Sequence, residues 1–112
     1  MTDVIKSTTK YVRMSPRKVR LVIDLIRGMN ANEALETLNF VNKAASVPVY
    51  KTLKSAISNA ENNFDKDIDR LYVVEARVDE APTLKRGRAV SRGRYHQILK
   101  RSSHIVIGLS EK

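Results

Sequence analysis

The residues best suited to chemistry form a basic segment, residues 81–110. This segment contains seven Lys or Arg and no Asp or Glu, so its net charge is +7. Most of its cations are arginines, and the guanidinium group pairs with phosphate through two hydrogen bonds and stacks on bases. Tyr95 and His96 add flat rings that suit stacking on unpaired bases. The basic segment is therefore typical of a nucleic-acid contact.

The rest of the chain is almost neutral. The whole chain carries +9, whereas residues 1–80 contribute only +2, with thirteen Lys or Arg against eleven Asp or Glu. Charge that serves solubility is normally mixed in sign, so this asymmetry indicates a polyanionic partner. Two alternatives are less favoured. A merely flexible, solvated loop would leave the positive charge uncompensated, which destabilises a fold. Binding to a membrane surface would require a continuous apolar helix face, which Leu84, Val90 and Leu99 do not form.

Residues suited to catalysis or metal binding are scattered. Asp65, Asp67 and Asp69 alternate as in part of a calcium loop, but the Gly and the terminal Glu of such a loop are missing, which favours a solvated acidic loop. His96 and His104 lie eight residues apart with no third ligand nearby, and the chain has no Cys. We therefore expect no enzyme activity, no cofactor and no metal site.

Length and composition indicate one domain over residues 1–112. The hydrophobic content of 42% is that of an ordinary globular protein. No apolar stretch resembles a signal peptide, and no run of about 18 apolar residues could span a bilayer. We expect a cytoplasmic protein that does not bind membranes.

The first part of the chain predicts a strand and then a helix. Residues 4–12 are rich in β-branched and aromatic side chains, which predicts a strand. Ser15 and Pro16 form a helix start, with Ser15 acting first as the capping residue and only second as an RNA contact. Gly28 ends the helical pattern.

Two further helices follow. Asn30 or Asn32 can cap the second helix, and Asn42 or Ser46 can open the third, whose regular part should begin near Pro48. The buried stripe expected in the third helix consists of Tyr50, Leu53, Ile57, Ala60 and Phe64.

The last part of the chain predicts two strands joined through the basic segment. Residues 71–79 form one strand and residues 99–109 the other. The face expected inward on the first of these strands carries Tyr72, Val74, Ala76 and Val78. The residues between the strands would form an extended arm at 79–98. The expected fold is α+β: a three-stranded antiparallel sheet packed with three helices, plus a long projecting basic β-hairpin.

Several segments resemble the bacterial large-subunit ribosomal protein L-twenty-two family. Residues 15–28, SPRKVRLVIDLIRG, are similar to its first helix, and residues 33–35 and 56–62 to its second and third helices. Residues 78–86 and 98–105 are similar to its hairpin and C-terminal signature. These segments follow one another in the family's order over nearly the whole chain.

The resemblance implies a structural protein that binds 23S-type rRNA, aids assembly of the large subunit and lines the nascent-peptide exit tunnel with its hairpin. The implied partners are large-subunit rRNA, neighbouring proteins including the L-four family, and the nascent polypeptide. The chain would be monomeric within the subunit. A free-standing RNA- or DNA-binding module stays open as the alternative, because a basic ribbon would serve it equally well.

The expected RNA-binding residues combine the basic segment with the start of the first helix. They are Arg13, Ser15, Arg17, Lys18, Arg20, Lys85, Arg86, Arg88, Arg92, Arg94, Tyr95, His96, Lys100, Arg101 and His104. The tip that the resemblance places against the tunnel comprises Leu84, Lys85, Arg86, Gly87, Arg88, Ala89, Val90 and Ser91.

Overall fold

The described part of the chain forms three α-helices between its first and second strands. The computed structural model describes residues 4–82, 84–90 and 94–111. The elements are β1 (Ile5–Val12), α1 (Pro16–Ile26), α2 (Ala31–Phe40), α3 (Ser46–Phe64), a 3₁₀ turn (Ile68–Arg70), β2 (Leu71–Glu80), β3 (Leu84–Val90), β4 (Arg94–Lys100) and β5 (Ser103–Glu111). Within these ranges, no helix is both long and apolar enough to cross a bilayer.

The last strand, β5, is the centre of a three-stranded sheet with the order β1–β5–β2. Both neighbours run antiparallel to it, with Ile5 opposite Leu109 and Val78 opposite Ile105. A central strand is covered along both edges, and β5 is buried from Ser103 to Ser110 except for the half-buried His104. The predicted α+β fold with a three-stranded antiparallel sheet and three helices is confirmed.

One cluster of buried apolar side chains joins the three helices to the sheet. Helix α1 packs against β2, α3 packs against β1 and β5, and α2 contacts both other helices. Four apolar residues of α1 recur at helical spacing and are fully buried: Val19, Val22, Ile23 and Ile26. Each such side chain contributes roughly 1.5–3 kcal/mol on burial, so the helical stripe is a main source of stability.

The end of α1 and the start of α2 follow the sequence prediction. Gly28 adopts φ 85°, a left-handed conformation that favours glycine, and its N–H donates to the carbonyl of Val73 at 2.9 Å. Asn30 is the N-cap of α2, and its side chain accepts a hydrogen bond from the N–H of Asn32. The turn that ends α1 therefore also attaches the chain to β2.

Helix α3 begins at Ser46, two residues before Pro48. Pro48 thus lies in the first turn, where its missing N–H costs little because that group would lack a helical partner. Leu53, Ile57 and Ala60 are buried as predicted. The prediction for Phe64 is wrong: its side chain is 53% exposed, since it ends the helix and the left-handed Asp65 turns the chain away.

The predicted inward face of β2 is wrong in its first half. A β-bulge shifts the register, so that Val73 is opposite Leu109 but Glu75 is opposite Gly108. Val74 is the extra residue and is 43% exposed, whereas Leu71 and Val73 are buried. One inserted residue reverses the alternation of faces. Ala76 and Val78, beyond the bulge, are buried as predicted.

The predicted strand 99–109 is in fact parts of two strands. β4 ends at Lys100 and β5 begins at Ser103, and the break lies beside Ala81, whose N–H donates to the carbonyl of Ser102 at 3.1 Å. Pro82 follows Ala81 and has no N–H to continue the ladder, which accounts for the interruption.

Beyond the break, β3 and β4 pair antiparallel as a separate two-stranded ribbon. Leu84 lies opposite Lys100 at the end next to the globular part, and Val90 lies opposite Arg94 at the far end. The predicted arm at 79–98 overlaps this ribbon.

Candidate nucleic-acid interface

The junction of β1 and α1 contains the first group of predicted RNA-binding residues. Ser15 occupies the N-cap position with extended backbone, and its carbonyl accepts from the N–H groups of Lys18 and Val19 at 3.1 and 3.3 Å. Its side chain makes no capping hydrogen bond. Ser15 is therefore the N-cap of α1 as predicted, but it accepts hydrogen bonds through its carbonyl and not through its side chain, and it also lines a cleft.

This cleft has a volume of about 830 Å³ and is built from three segments that are distant in sequence. It is lined by Arg13, Met14, Ser15, Lys18, Leu21, Lys43, Ala44, Ala45 and Arg101. Four of the predicted RNA-binding residues are thus brought together: Arg13, Ser15, Lys18 and Arg101. We call this group of nine lining residues the basic cleft.

The basic cleft is electropositive. It is lined by four cations, Arg13, Lys18, Lys43 and Arg101, and by no carboxylate. The ion pairs found among the described residues involve none of these four side chains. Lys43 is absent from the sequence prediction, because it lies alone in the loop before α3 and only the fold carries it to the other cations.

Hydrogen bonds hold the segments of the basic cleft in place. Ser103 Oγ donates to the carbonyl of Met14 at 2.7 Å, which attaches the β1–α1 junction to β5. Ser46 Oγ donates to the carbonyl of Lys43 at 2.7 Å and fixes the loop before α3. These bonds fix the β1–α1 junction and the loop before α3, which together carry most of the lining of the cleft.

The predicted RNA-binding residues Arg17 and Arg20 of α1 lie outside the basic cleft, and Arg27, which follows α1, was not predicted to bind RNA. Arg20 Nη2 donates to the carbonyl of Val78 at 2.9 Å, so this guanidinium joins α1 to β2. Arg27 makes a comparable bond to the carbonyl of Ala76 and pairs with Asp24 at 2.7 Å. Arg17 is exposed and stays a predicted RNA contact. The position of Arg20 indicates a stabilising role beside any contact with RNA.

His104 contacts an aromatic residue that sequence reasoning missed. Its Nδ1 accepts a hydrogen bond from the N–H of Tyr11 at 3.0 Å, and the two ring centroids are 4.9 Å apart at an interplanar angle of 88°. The neutral ring that accepts at Nδ1 carries its proton on Nε2. Tyr11 is 63% exposed with φ 57°, at an irregularity of the β1–β5 pairing.

The remaining predicted residues belong to the ribbon. The backbone pairs Arg88 with His96, Ala89 with Tyr95 and Lys85 with Leu99. Ser91 and Arg92 lie outside the described residues, as do the side chains of the other predicted ribbon residues: Leu84, Lys85, Arg86, Gly87, Arg88, Ala89, Val90, Arg94, Tyr95, His96 and Lys100. Their contact with RNA or with the tunnel stays a prediction.

The alternating acids before β2 have local partners. Asp67 accepts from the N–H of Asp69 at 3.1 Å, and Asp69 Oδ1 accepts from the side chain of Asn32 at 2.7 Å. These bonds connect the 3₁₀ turn to the start of α2. Among the described residues, no three His, Asp or Glu side chains lie together as metal ligands would.

Comparison with known proteins identifies the family. The family model described as "Ribosomal protein L22p/L17e" matches residues 7–110. The chain belongs to this family. The family membership confirms the resemblance of the helix, hairpin and C-terminal segments, and it confirms that the chain is a ribosomal protein and not an enzyme.

Bacterial relatives of the L22p/L17e family match along almost their full length. The proteins named large ribosomal subunit protein uL22 from Clostridium novyi and Clostridium acetobutylicum are 49% and 53% identical over 107 residues, which is 96% of this chain and of each relative. The protein of the same name from Desulfitobacterium hafniense is 54% identical over 107 residues, 96% of this chain and 94% of its own. These names support the predicted large-subunit class and the cytoplasmic location.

Proposed function

We propose that the chain is a structural constituent of the large ribosomal subunit that binds 23S-type rRNA and aids subunit assembly. The observation that carries this proposal is the group of four cations in the basic cleft, which make no ion pair with the residues that the structure describes. Arg101 directly follows β4, so this group lies where the globular part meets the acid-free ribbon. Phosphate contacts supply most of the affinity in such interfaces, and a run of cations across both parts suits an extended RNA backbone.

We further propose that the ribbon lines the nascent-peptide exit tunnel, beside a protein of the L-four family and against the nascent polypeptide. The family resemblance and the antiparallel pairing from Leu84–Lys100 out to Val90–Arg94 support this assignment. A two-stranded ribbon is only marginally stable alone in water, so a surrounding partner would stabilise it. Of the predicted tip residues, Leu84 to Val90 form β3, one strand of this ribbon, and Ser91 lies outside the described residues.

The salt dependence of RNA binding tests the first proposal. The affinity of the full chain for protein-free large-subunit rRNA should fall steeply with salt, by roughly 0.7–0.9 logarithmic units per tenfold salt for each phosphate neutralised. Replacing Arg88, Arg92 and Arg94 together with Ala should flatten this slope. A matched triple replacement of Lys51, Lys54 and Arg70, which lie outside the basic cleft and the ribbon, should change it far less. Binding that ignores salt would contradict the proposal.

Fractionation tests the association with the subunit. Nearly all of the chain should sediment with the large subunit and stay there through a moderate salt wash. A chain that is found mainly in the free fraction would instead support a free-standing nucleic-acid-binding module. Crosslinks from residues 85–94 to rRNA or to nascent peptide would test the placement of the ribbon.

A further inference from the structure

The lining of the basic cleft combines charged side chains with apolar ones. Its cations Arg13, Lys18, Lys43 and Arg101 are exposed, whereas the buried members of its lining are apolar. Ala45 is 5% exposed and Met14 is half-buried against the core. The exposed Leu21 and Ala44 extend this apolar wall. A ligand that fills the cleft must therefore offer both negative charge and an apolar surface.

The charge of the basic cleft limits the ligand class first. Four cations from three segments converge with no carboxylate in the lining and no ion pair inside the described part of the chain. Like charges held together are unfavourable unless an anion neutralises them. Phosphate is the anion that arginine and lysine bind best by hydrogen bonding.

The apolar wall limits the ligand further. A ligand that offered only phosphate would leave the apolar surface of Met14, Leu21 and Ala45 in water. A double helix would do the same, because its base faces are stacked and it offers mainly phosphates and groove edges. An unstacked base has a broad face that can cover such a wall. The cleft volume of about 830 Å³ is in the range of small-molecule sites, which is enough space for a nucleotide.

The Ser15 hydroxyl adds a polar group at the same place. It makes no capping bond to α1, although it occupies the capping position. A hydroxyl can both donate to phosphate and accept from a ribose hydroxyl. The cleft thus provides a partner for each part of a nucleotide: cations for phosphate, Ser15 for sugar or phosphate, and the wall for the base.

We propose that the basic cleft receives an unstacked nucleotide from a single-stranded part of the rRNA, with the base against Met14, Leu21 and Ala45 and the phosphates at Arg13, Lys18, Lys43 and Arg101. This inference rests on the proposed rRNA binding and adds the form of RNA that the globular part recognises. It also gives Lys43 and Leu21, which no sequence pattern singled out, a direct contact with RNA.

Two pairs of variants of the full chain test the proposal. Leu21→Glu places an acid in the cleft, and Leu25→Glu makes the same change one turn along α1, outside the cleft and also on an exposed residue. Lys43→Gln removes a cleft cation, and Lys51→Gln removes an exposed cation from α3. Thermal unfolding of each variant shows whether it is folded.

The probes are a short single-stranded oligouridine that carries photoreactive 4-thiouridine, an RNA duplex of equal length, and protein-free large-subunit rRNA. We expect Leu21→Glu and Lys43→Gln to weaken binding of the single strand by about three- to tenfold, as for one lost charged contact, and to weaken duplex binding less. The control variants should bind like the unchanged chain. The thiouridine crosslink should map to residues 13–21 or 43–45, and Leu21→Glu should remove it.

Several outcomes would overturn the inference. Unchanged binding and crosslinking in both cleft variants, with rRNA binding intact, would reject the cleft and leave the proposed function standing. An equal loss of affinity for the single strand and the duplex would show that the cleft contacts phosphate in general and does not recognise an unstacked nucleotide. If the cleft variants lost binding to an acidic peptide with aromatic side chains but bound RNA like the unchanged chain, the cleft would instead be a site for a protein partner. Failure of the unchanged chain to bind rRNA at all would reject the proposed function and, with it, this inference.

Discussion

At the residue scale, Ser15 and Asn30 occupy equivalent positions directly before a helix but use their side chains differently. The Asn30 side chain accepts from the N–H of Asn32 at 3.0 Å and donates to the carbonyls of Asp69 and Leu71 at 2.9 and 3.1 Å. It therefore joins the start of α2 to the start of β2. The Ser15 side chain makes no capping bond, and the residue lines the basic cleft.

This difference predicts unequal effects of alanine. Asn30→Ala should lower the free energy of unfolding by about 2–3 kcal/mol, because it removes a cap and two bonds to the backbone. Ser15→Ala should cost less than about 0.5 kcal/mol, below the usual loss of a capping residue. Urea unfolding of the two variants measures both values. Similar losses for the two would show that Ser15 does cap α1 in solution.

At the element scale, a pair of threonine hydroxyls joins α3 to the sheet. Thr52 is fully buried and its Oγ1 donates to the carbonyl of Pro48 at 2.8 Å, so the Oγ1 of Thr9 on β1, 2.6 Å away, is the donor between the two threonines. An unpaired hydroxyl is unfavourable at a position as fully buried as that of Thr52.

We expect Thr52→Val to destabilise the protein by about 1–3 kcal/mol, since it leaves the half-buried Thr9 hydroxyl without its partner. Adding Thr9→Val to Thr52→Val should lower the free energy of unfolding little further, because no unpaired hydroxyl then remains. Denaturant unfolding of both single variants and the double variant measures the coupling energy. Strictly additive losses would show that the contact contributes nothing of its own.

We also expect changes in the ribbon and changes in the globular part to affect different functions. Arg88 lies opposite His96, two residues before Val90 at the far end of the ribbon, whereas Arg101 lines the basic cleft. Arg88→Ala should alter peptide passage or the action of tunnel-binding drugs more than subunit assembly, and Arg101→Ala should do the reverse. Sucrose-gradient profiles and a peptide-arrest reporter measure the two effects. Equal assembly defects would contradict this division.

At the scale of the whole molecule, the globular part contains the core and the ribbon contains most of the charge. The molecule measures 62 × 26 × 20 Å. Among the residues whose side chains the structure describes, the core cluster includes none between residues 79 and 104. Residues 83–100 hold six Lys or Arg and no acid, out of a net charge of +9.

Replacing residues 83–100 with a short Asn-Gly turn should therefore leave a folded protein, because β2 and β5 already pair from Glu80–Ser103 onward. We expect a cooperative thermal transition close to that of the full chain, and weaker rRNA binding with a lower salt slope. Circular dichroism and filter binding measure these effects. Loss of the cooperative transition would show that the ribbon contributes to the core.

The sequence predicted most of the secondary-structure elements but only part of the candidate nucleic-acid interface. Gly28, Asn30 and the stripe of α1 carry local signals, and each acts as its pattern predicts. Val74 could not be recognised as a bulge, because it is as apolar as the buried Val73 beside it. Ser15, Tyr11, Lys43 and Arg20 act through residues distant in sequence, so no local pattern indicates what their side chains contact.

The sequence by itself determined the order and type of the elements, the acid-free basic segment and the family. Hydrophobic periodicity, helix ends and a run of like charges are all properties of neighbouring residues. Only the tertiary structure decided that Arg20 joins two elements and that Lys43 and Leu21 meet Arg13, Lys18 and Arg101 in the basic cleft. The reason is physical: the cleft depends on the strand register and on how α1 and α3 pack on the sheet, and the composition of each segment leaves both undetermined.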